Sequence, residues 1–300
     1  MNVNFELYKV FYYVGKYLSF SQAANKLYIS QSAVSQSIKL LEEKLNSKLF
    51  YRHTKKVKLT PEGQLLYKHI EQAFNFIQSG ERSIQQIHSL KQGEVRIGAS
   101  DTICKYYLLP FFKKFHEMYP DIKIHVTNRP SPVCAELLKK GSVDISVINL
   151  PYKMVYKNMT FHEIKKIQDV FIAGKKFLHL KNKVLHLKDL EQYPLLSLQK
   201  NSTTRNFLDA FMREHNVDIA PEFELGSIDL LIELTKIGLG ISFVMLDAIQ
   251  ESVEKEEVFI LNIKEKAPKR SIGVLINKKI PVPIAAQKFI DLLQIKNRVN

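Results

Sequence analysis

Along the first ninety residues the apolar positions recur every three or four places, the spacing of a buried helical face. Phe5, Tyr8, Phe11 and Tyr12, followed about a turn later by Val14, outline one helix. A second contains Ala23, Ala24 and Leu27, with Ser19 or Ser21 as its cap, and its alanine pair lets another helix approach closely. After a short connection at Tyr28 and Ile29, Ser30 can cap a third, in which Val34, Ile38, Leu41 and Leu45 form a continuous stripe. A long helix then runs from Glu62 toward Leu90, with Leu66, Ile70, Ala73, Ile77, Ile84 and Ile87 near a three-four repeat. Gly93 breaks it, and the rhythm changes to short apolar runs at 94–99, 122–127, 144–149, 169–173, 194–198, 240–245, 258–263 and 271–276. Helical stretches at 104–118, 132–140, 204–215 and 228–237 separate several of these runs, and an amphipathic helix spans 284–295. Such alternation implies parallel sheets with helices on both faces.

The polar positions are as patterned as the apolar ones. On the third helix Gln31, Ser32, Ser35, Gln36 and Lys39 lie away from the stripe. Two helices joined by a tight turn, the second with an uncharged hydrogen-bonding N-terminal half, describe a helix-turn-helix. The second helix of that motif enters the DNA major groove, where glutamine can pair with adenine and serine can reach phosphates or base edges. A polar, solvent-facing helix of any bundle shares the pattern, so the next segment matters. YRHTKKVKLT alternates weakly, carries Arg52, Lys55, Lys56 and Lys58, and ends in an N-cap threonine followed by Pro61, which suits a first helical turn. It reads as a small basic β-wing. Serine and glutamine dilute the apolar face of the long helix, as in a linker that packs against a copy of itself; packing within the chain is the alternative.

Charge supports the wing. Of the net +14, residues 1–58 supply +7, ten lysines and arginines against three glutamates, in under a fifth of the chain. Such a region attracts a polyanion and releases counterions on binding it. The length suits about two domains. No apolar run approaches the ~18 residues of a membrane span. Glu6, Lys9 and Lys16 interrupt the N-terminal stretch, which lacks a small-residue cleavage site, so a cytoplasmic protein without a membrane partner is expected. Cys104 and Cys134 make neither a disulfide framework nor a zinc spacing.

The run S-F-S-x-A-A-x-x-L-x-x-S-Q-S-A-V-S-x-x-I-x-x-L-E-x-x-L at 19–45, continued by L-F-x-R-x-x-K-x-V-x-L-T-x-x-G at 49–63, resembles the DNA-binding domain of LysR-type transcriptional regulators. The resemblance implies a winged helix-turn-helix whose third helix reads the major groove. It puts Gln31, Ser32, Ser35 and Gln36 at DNA-facing positions of that helix and Arg52 at a backbone contact near the wing; Ser30, Lys39, Lys55 and Lys56, from the pattern and charge, complete the candidate DNA-binding set. Three positions depart from the pattern. Leu18 stands where the family often has glycine, Asn46 replaces glycine after Leu45, and Lys55 occupies a common arginine position. Asparagine tolerates the left-handed conformation of a helix end.

The later segments I-G-A-S-D-T at 97–102, L-L-P-F-F-x-x-F at 108–115, L-x-x-G-x-V-D-I-S-V at 138–147 and G-L-G-I-S-F-V at 238–244 resemble the co-inducer domain of the same family, built like periplasmic binding proteins. The fold class expected is therefore α + α/β. A head at 1–60 and a linker helix at 61–92 precede a regulatory domain at 93–300, whose subdomains are 93–165 with 267–300, and 166–266. Crossovers are expected near 163–168 and 264–268. In open α/β sheets ligands meet the C-terminal ends of strands and the N-termini of helices. That singles out Ser100, Asp101, Thr102, Arg129, Ser131, Asn149, Gln199, Lys200, Asn201, Ser202 and Thr203. The resemblance aligns Ser100, Thr102 and Thr203 with effector-contacting positions. Each of these residues can equally serve a turn or a cap. Arg129 and Lys200 favour an anion, which Asp101 opposes.

The expectation is a dimer through the linker helix and a tetramer by resemblance, with double-stranded promoter DNA, a small-molecule effector and RNA polymerase as partners. No cofactor or metal is expected. Catalysis is not, because G-x-S-x-G, P-loop, H-E-x-x-H and G-x-G-x-x-G motifs are absent, and Gly238-Leu-Gly240 lacks the third glycine. A thiol redox sensor using Cys104 and Cys134 is the rival regulator, since both lie near helix N-termini where a thiolate is stabilised. A non-specific architectural DNA binder has no use for the large second domain.

Overall fold

The computed structural model describes residues 3–51, 57–88, 93–150, 156 and 158–295. Two compact units emerge, Met1–Gly80 and Glu81–Asn300, and the division falls inside the long helix.

In the first unit α1 (Phe5–Tyr17), α2 (Phe20–Leu27) and α3 (Gln31–Leu45) precede a two-stranded antiparallel ribbon of β1 (Phe50–Tyr51) and β2 (Lys58–Leu59), then α4 (Pro61–His88). The side chains of Asn4, Ser19 and Ser30 each accept a first-turn N–H, so Ser19 and not Ser21 caps α2. Val34, Ile38 and Leu41 are fully buried and pack with Phe11, Val14 and Ala23, as the stripe requires. Helices end on left-handed residues: Leu18 at φ 46°, Tyr28 at 56° and Asn46 at 47°. A leucine there is strained by about 1–2 kcal/mol. Leu18→Gly is thus expected to raise the head's stability by roughly 1 kcal/mol after glycine's chain-entropy cost, read from its denaturation midpoint.

Glu42 is a buried acid that locks α3 to the ribbon. Its carboxylate accepts from the N–H groups of Leu49, at 2.9 Å, and Phe50, at 3.3 Å. Thr60 fastens the other side, donating to the Lys48 carbonyl at 2.7 Å and accepting from Gly63 N–H at 2.9 Å. Gly63 needs to lack a Cβ, which would fall 2.1 Å from the Leu49 oxygen. Glu42→Ala orphans two buried donors and is expected to cost about 1–3 kcal/mol in urea unfolding.

The second unit contains β3 (Gly93–Ala99), α5 (Asp101–Ile103), a π-helical turn at Cys104–Leu108, α6 (Leu109–Met118), β4 (Ile122–Asn128), α7 (Ser131–Lys139), β5 (Ile145–Leu150) and β6 (Met159–Ile167). The chain then crosses into β7 (Asp169–Gly174), β8 (Val184–Leu185), β9 (Leu195–Leu198), α8 (Thr203–Glu214), β10 (Phe223–Leu225) and α9 (Ile228–Lys236). It continues with β11 (Ile241–Met245), α10 (Gln250–Glu254), β12 (Val258–Ile260) and β13 (Asn262–Ile263), and crosses back into β14 (Arg270–Asn277) and α11 (Ile284–Ile295). One sheet runs β4-β3-β5-β14-β6 and the other β10-β9-β11-β7-β12, giving two subdomains. β5, β9 and β11 are buried along their whole length, which explains their unbroken apolar runs.

Several expectations need correction. The sheets are mixed: β14 runs antiparallel to β5 and β6, and β7 antiparallel to β11 and β12, because the chain returns through each sheet. The run 258–263 divides between β12, at the edge of the second sheet, and β13, which pairs with β8 in a separate two-stranded ribbon, and the helix expected at 104–118 begins with the π turn. On α4, Leu66 and Ile70 pack into the first unit's core, so they do not belong to a face left for another copy.

Candidate functional site

α3 presents two faces. Its stripe faces α1 and α2, while Gln31, Ser32, Gln36 and Lys39 are exposed and Ser35 is half-buried. Part of the polar face is ordered before any partner arrives. The Ser30 hydroxyl accepts from Ala33 N–H and shares a 2.8 Å hydrogen bond with Ser32, and Ser21 donates to Gln31 Oε1 at 3.4 Å. Ser30 is therefore a cap first. Lys39 lies 3.8 Å from Glu43, a loose exposed pair that leaves the ammonium free to turn. Arg52, Lys55 and Lys56 lie outside the described residues; Lys58, on β2, is exposed.

In the second unit Ser100 caps α5 at the C-terminal end of β3, accepting from Ile103 N–H at 3.4 Å. Asp101 accepts from Asn128, and Thr102 is half-buried beside it. Arg129 is exposed and donates to its neighbour's carbonyl, Asn128 O, at 2.7 Å. Ser131 and Asn149 are brought together and buried: Ser131 Oγ accepts from Asn149 N–H at 3.1 Å. Asn149 Oδ1 is buried without a hydrogen-bond partner. In the other subdomain Gln199 accepts from Ser202 N–H at 3.0 Å, Ser202 caps α8 through Arg205 N–H, and Thr203 is buried in its first turn. Asn201 is exposed in that loop. Lys200 instead lines a polar cavity of about 830 Å³ along α8, with Arg205, Asp209 and Glu224.

Both loops adjoin contacts that cross the subdomain boundary. Three residues after α5, Tyr106 reaches Asp229 of α9. Next to Thr203, Thr204 Oγ1 accepts from Arg270 Nη2 at 3.2 Å, and Arg270 forks onto Asp169 at 2.6 and 2.7 Å. Sequence reasoning missed Tyr106, Asp229, Asp169 and Arg270. The last two carried a signal: oppositely charged residues open the apolar runs that follow the two crossovers.

The cysteines differ from a thiolate pair. Burial, with Asp101 nearby, pushes the Cys104 thiol up to about 11. Burial does the same to Cys134, also to about 11, although Arg129 opposes it. Both are protonated at neutral pH and weak nucleophiles. Among the described residues no cluster of histidine, cysteine and carboxylate side chains suits a metal, and no helix is long and apolar enough to cross a membrane.

Two family descriptions match this chain: "Bacterial regulatory helix-turn-helix protein, lysR family" over residues 5–64, and "LysR substrate binding domain" over residues 88–297. A probable RuBisCO transcriptional regulator of Emiliania huxleyi is 30% identical over 274 residues, 87% of this chain and 84% of its own length. Full-length OxyR from Pseudomonas aeruginosa, solved as a cysteine-to-aspartate variant, has a similar fold, with TM-score 0.74 and 17% identity over 98% of this chain and 96% of its own. The regulatory domain of CcmR from Synechocystis PCC6803, solved in complex with 2-PG, superposes with TM-score 0.63 and 21% identity, covering 69% of this chain and 99% of that domain. The head reads as a helix-turn-helix in sequence and structure, the second unit as a two-subdomain ligand domain, and the chain belongs to the LysR family of transcriptional regulators.

Proposed function

We propose that α3 reads a partly palindromic promoter site through Gln31, Ser32, Ser35 and Gln36, and that a small molecule held where the two subdomains meet rearranges the heads on DNA. The wing residues Arg52, Lys55 and Lys56 would supply phosphate contacts. RNA polymerase would be the partner at the promoter. The ligand half of this reading rests on Asn149: an acceptor buried without a partner costs about 1–3 kcal/mol, a cost a hydrogen-bonding ligand removes. Ser131, Ser100 and the α8 N-terminus offer further polar groups at strand ends on either side of the boundary.

A thermal-shift series on the full chain tests it, with 2-PG as the first compound because the CcmR domain was solved with it. A ligand at a hundredfold its Kd adds about 2.7 kcal/mol to stability. The upward shift is expected to vanish in Asn149→Ala; a shift that survives places the site elsewhere.

Pairing of two chains through α4, and of dimers into tetramers, belongs to the same proposal. Leu65, Phe76, Ile77 and Ile84 are exposed on α4 and fall within an arc of about 120° at ~100° per residue. Leu65→Glu with Ile77→Glu is expected to at least halve the mass seen in light scattering, because it removes the α4 contact and leaves any second contact in place. An unchanged mass would exclude this face as the dimer contact.

The redox alternative is disfavoured by two raised thiols. Cys104→Ser with Cys134→Ser should leave promoter binding before and after oxidant as in the natural chain.

A further inference from the structure

A π-helical turn widens the helix and is frequently found at functional places. Here it occupies Cys104–Leu108, directly after α5, whose cap is Ser100. It presents two consecutive side chains to the other subdomain. The Tyr106 hydroxyl donates to the Asp229 carboxylate, and Lys105 Nζ lies 2.9 Å from Asp229 Oδ1. Asp229 stands in the first turn of α9, where the helix dipole favours a negative charge. Burial would raise its carboxyl, but hydrogen bonds from Tyr106 and Lys105 hold it below its ordinary value.

The contact is more than an ion pair. The Tyr106 ring packs against both cores, that of the first subdomain and the cluster of Leu231 and Ile232 in the second. A parallel tie lies close by: Lys165 of β6 pairs with Asp247, and the Lys165 ammonium sits 6.0 Å from the ring centre of Tyr107, from the same π turn. Lys105 and Asp229 are each about half exposed, so their pair contributes little to stability. That suits a contact that opens. A tie worth many kcal/mol would exceed the differential affinity with which a ligand shifts an equilibrium.

We propose that Tyr106, Lys105 and Asp229 form a latch that holds the two subdomains in the observed arrangement, and that displacement of Ser100 and α5 releases it through the π turn. The regulatory part rests on the reading that a ligand acts beside Ser100 and α5. The latch itself does not, so it is tested without ligand.

Hydrogen–deuterium exchange on the full chain compares the natural protein with Tyr106→Phe, Asp229→Ala, which removes the accepting oxygen, and the double variant. Tyr106→Phe keeps the ring and removes only the hydroxyl. Each single change is expected to speed exchange in 104–108 and 228–236 about two- to tenfold, the equilibrium equivalent of one hydrogen bond. The double variant should be no faster than the faster single one, because both remove the same bond. Asp229→Glu, which keeps a carboxylate, should restore part of the protection. On an operator selected from random DNA, the single variants should also shift the footprint with no ligand added. Unchanged exchange in 228–236 or strictly additive effects would each overturn the latch; an unmoved footprint would overturn its coupling to the DNA-binding heads. The thermal-shift result with 2-PG bears on the ligand site alone, so the two ideas fail separately.

Discussion

Replacing Asp169 by alanine is expected to lower the regulatory domain's stability by about 3–5 kcal/mol. Both Asp169 and Arg270 are wholly buried, and the guanidinium meets the carboxylate through Nε and Nη2 at 2.6 and 2.7 Å. Phe207 lies under the guanidinium, 5.0 Å from its carbon to the ring centre. Without the carboxylate a cation stays behind in a largely apolar setting with Thr204 as its remaining side-chain acceptor among the described residues, and Nη1 is already buried without a partner there. Desolvating an unpaired charge is the dominant cost. Removing both charges is a different experiment: Asp169→Leu with Arg270→Met should recover most of the loss, because a buried ion pair often does no better than apolar packing of similar volume.

The positions give the pair a second meaning. Asp169 opens β7 and Arg270 opens β14, the strands that receive the chain after each crossover, so one fork ties the two crossings together. Gln168 reinforces it by donating to the carbonyl of Ala267 at 2.9 Å. For a domain of this size the single variant corresponds to a fall in Tm of roughly 6–20 °C. Calorimetry on the full chain, following the transition of the regulatory domain, measures it. A loss below about 1 kcal/mol would mean that water or a shifted side chain replaces the carboxylate.

The head was largely legible in the sequence because its signals are local. Val34, Ile38 and Leu41 mark the buried face by spacing alone, and Ser30 and Asn46 mark the ends of α3 by conformational preference. Glu42 was not legible: a glutamate in a helix reads as solvent-facing unless the N–H groups of Leu49 and Phe50 are known to fold back onto it. The regulatory domain divides the same way. Fully buried strands such as 145–150 and 241–245 stand out as apolar runs. β6, MTFHEIKKI, does not, because it is a half-exposed edge strand whose His162, Glu163, Lys165 and Lys166 break up the apolar pattern. Strand direction has no periodicity, which is why parallel sheets were expected where mixed ones formed.

Candidate ligand residues posed a harder problem. Ser100, Ser202 and Ser30 have the same residue type and position relative to a helix, and all three are caps. Sequence gives a serine ahead of a helix one reading for two duties. Only burial and partners separate them, as at Ser131 and Asn149, where a hydrogen-bonded buried pair leaves one acceptor over.

The central claim, that α3 reads bases, is tested most directly by Gln31→Ala with Gln36→Ala in competition between an operator selected from random DNA and random duplex of equal length and salt. Each glutamine that pairs through both amide atoms with an adenine provides about 1–3 kcal/mol of discrimination, so the double variant should lose roughly 2–6 kcal/mol of preference. Gln31 and Gln36 are both exposed, so the head should keep its fold, which circular dichroism verifies. Phosphate contacts are untouched, and affinity for random duplex should stay near that of the natural protein, with the same salt dependence. An operator-to-random ratio equal to that of the natural protein would contradict the assignment of α3 as the reading helix.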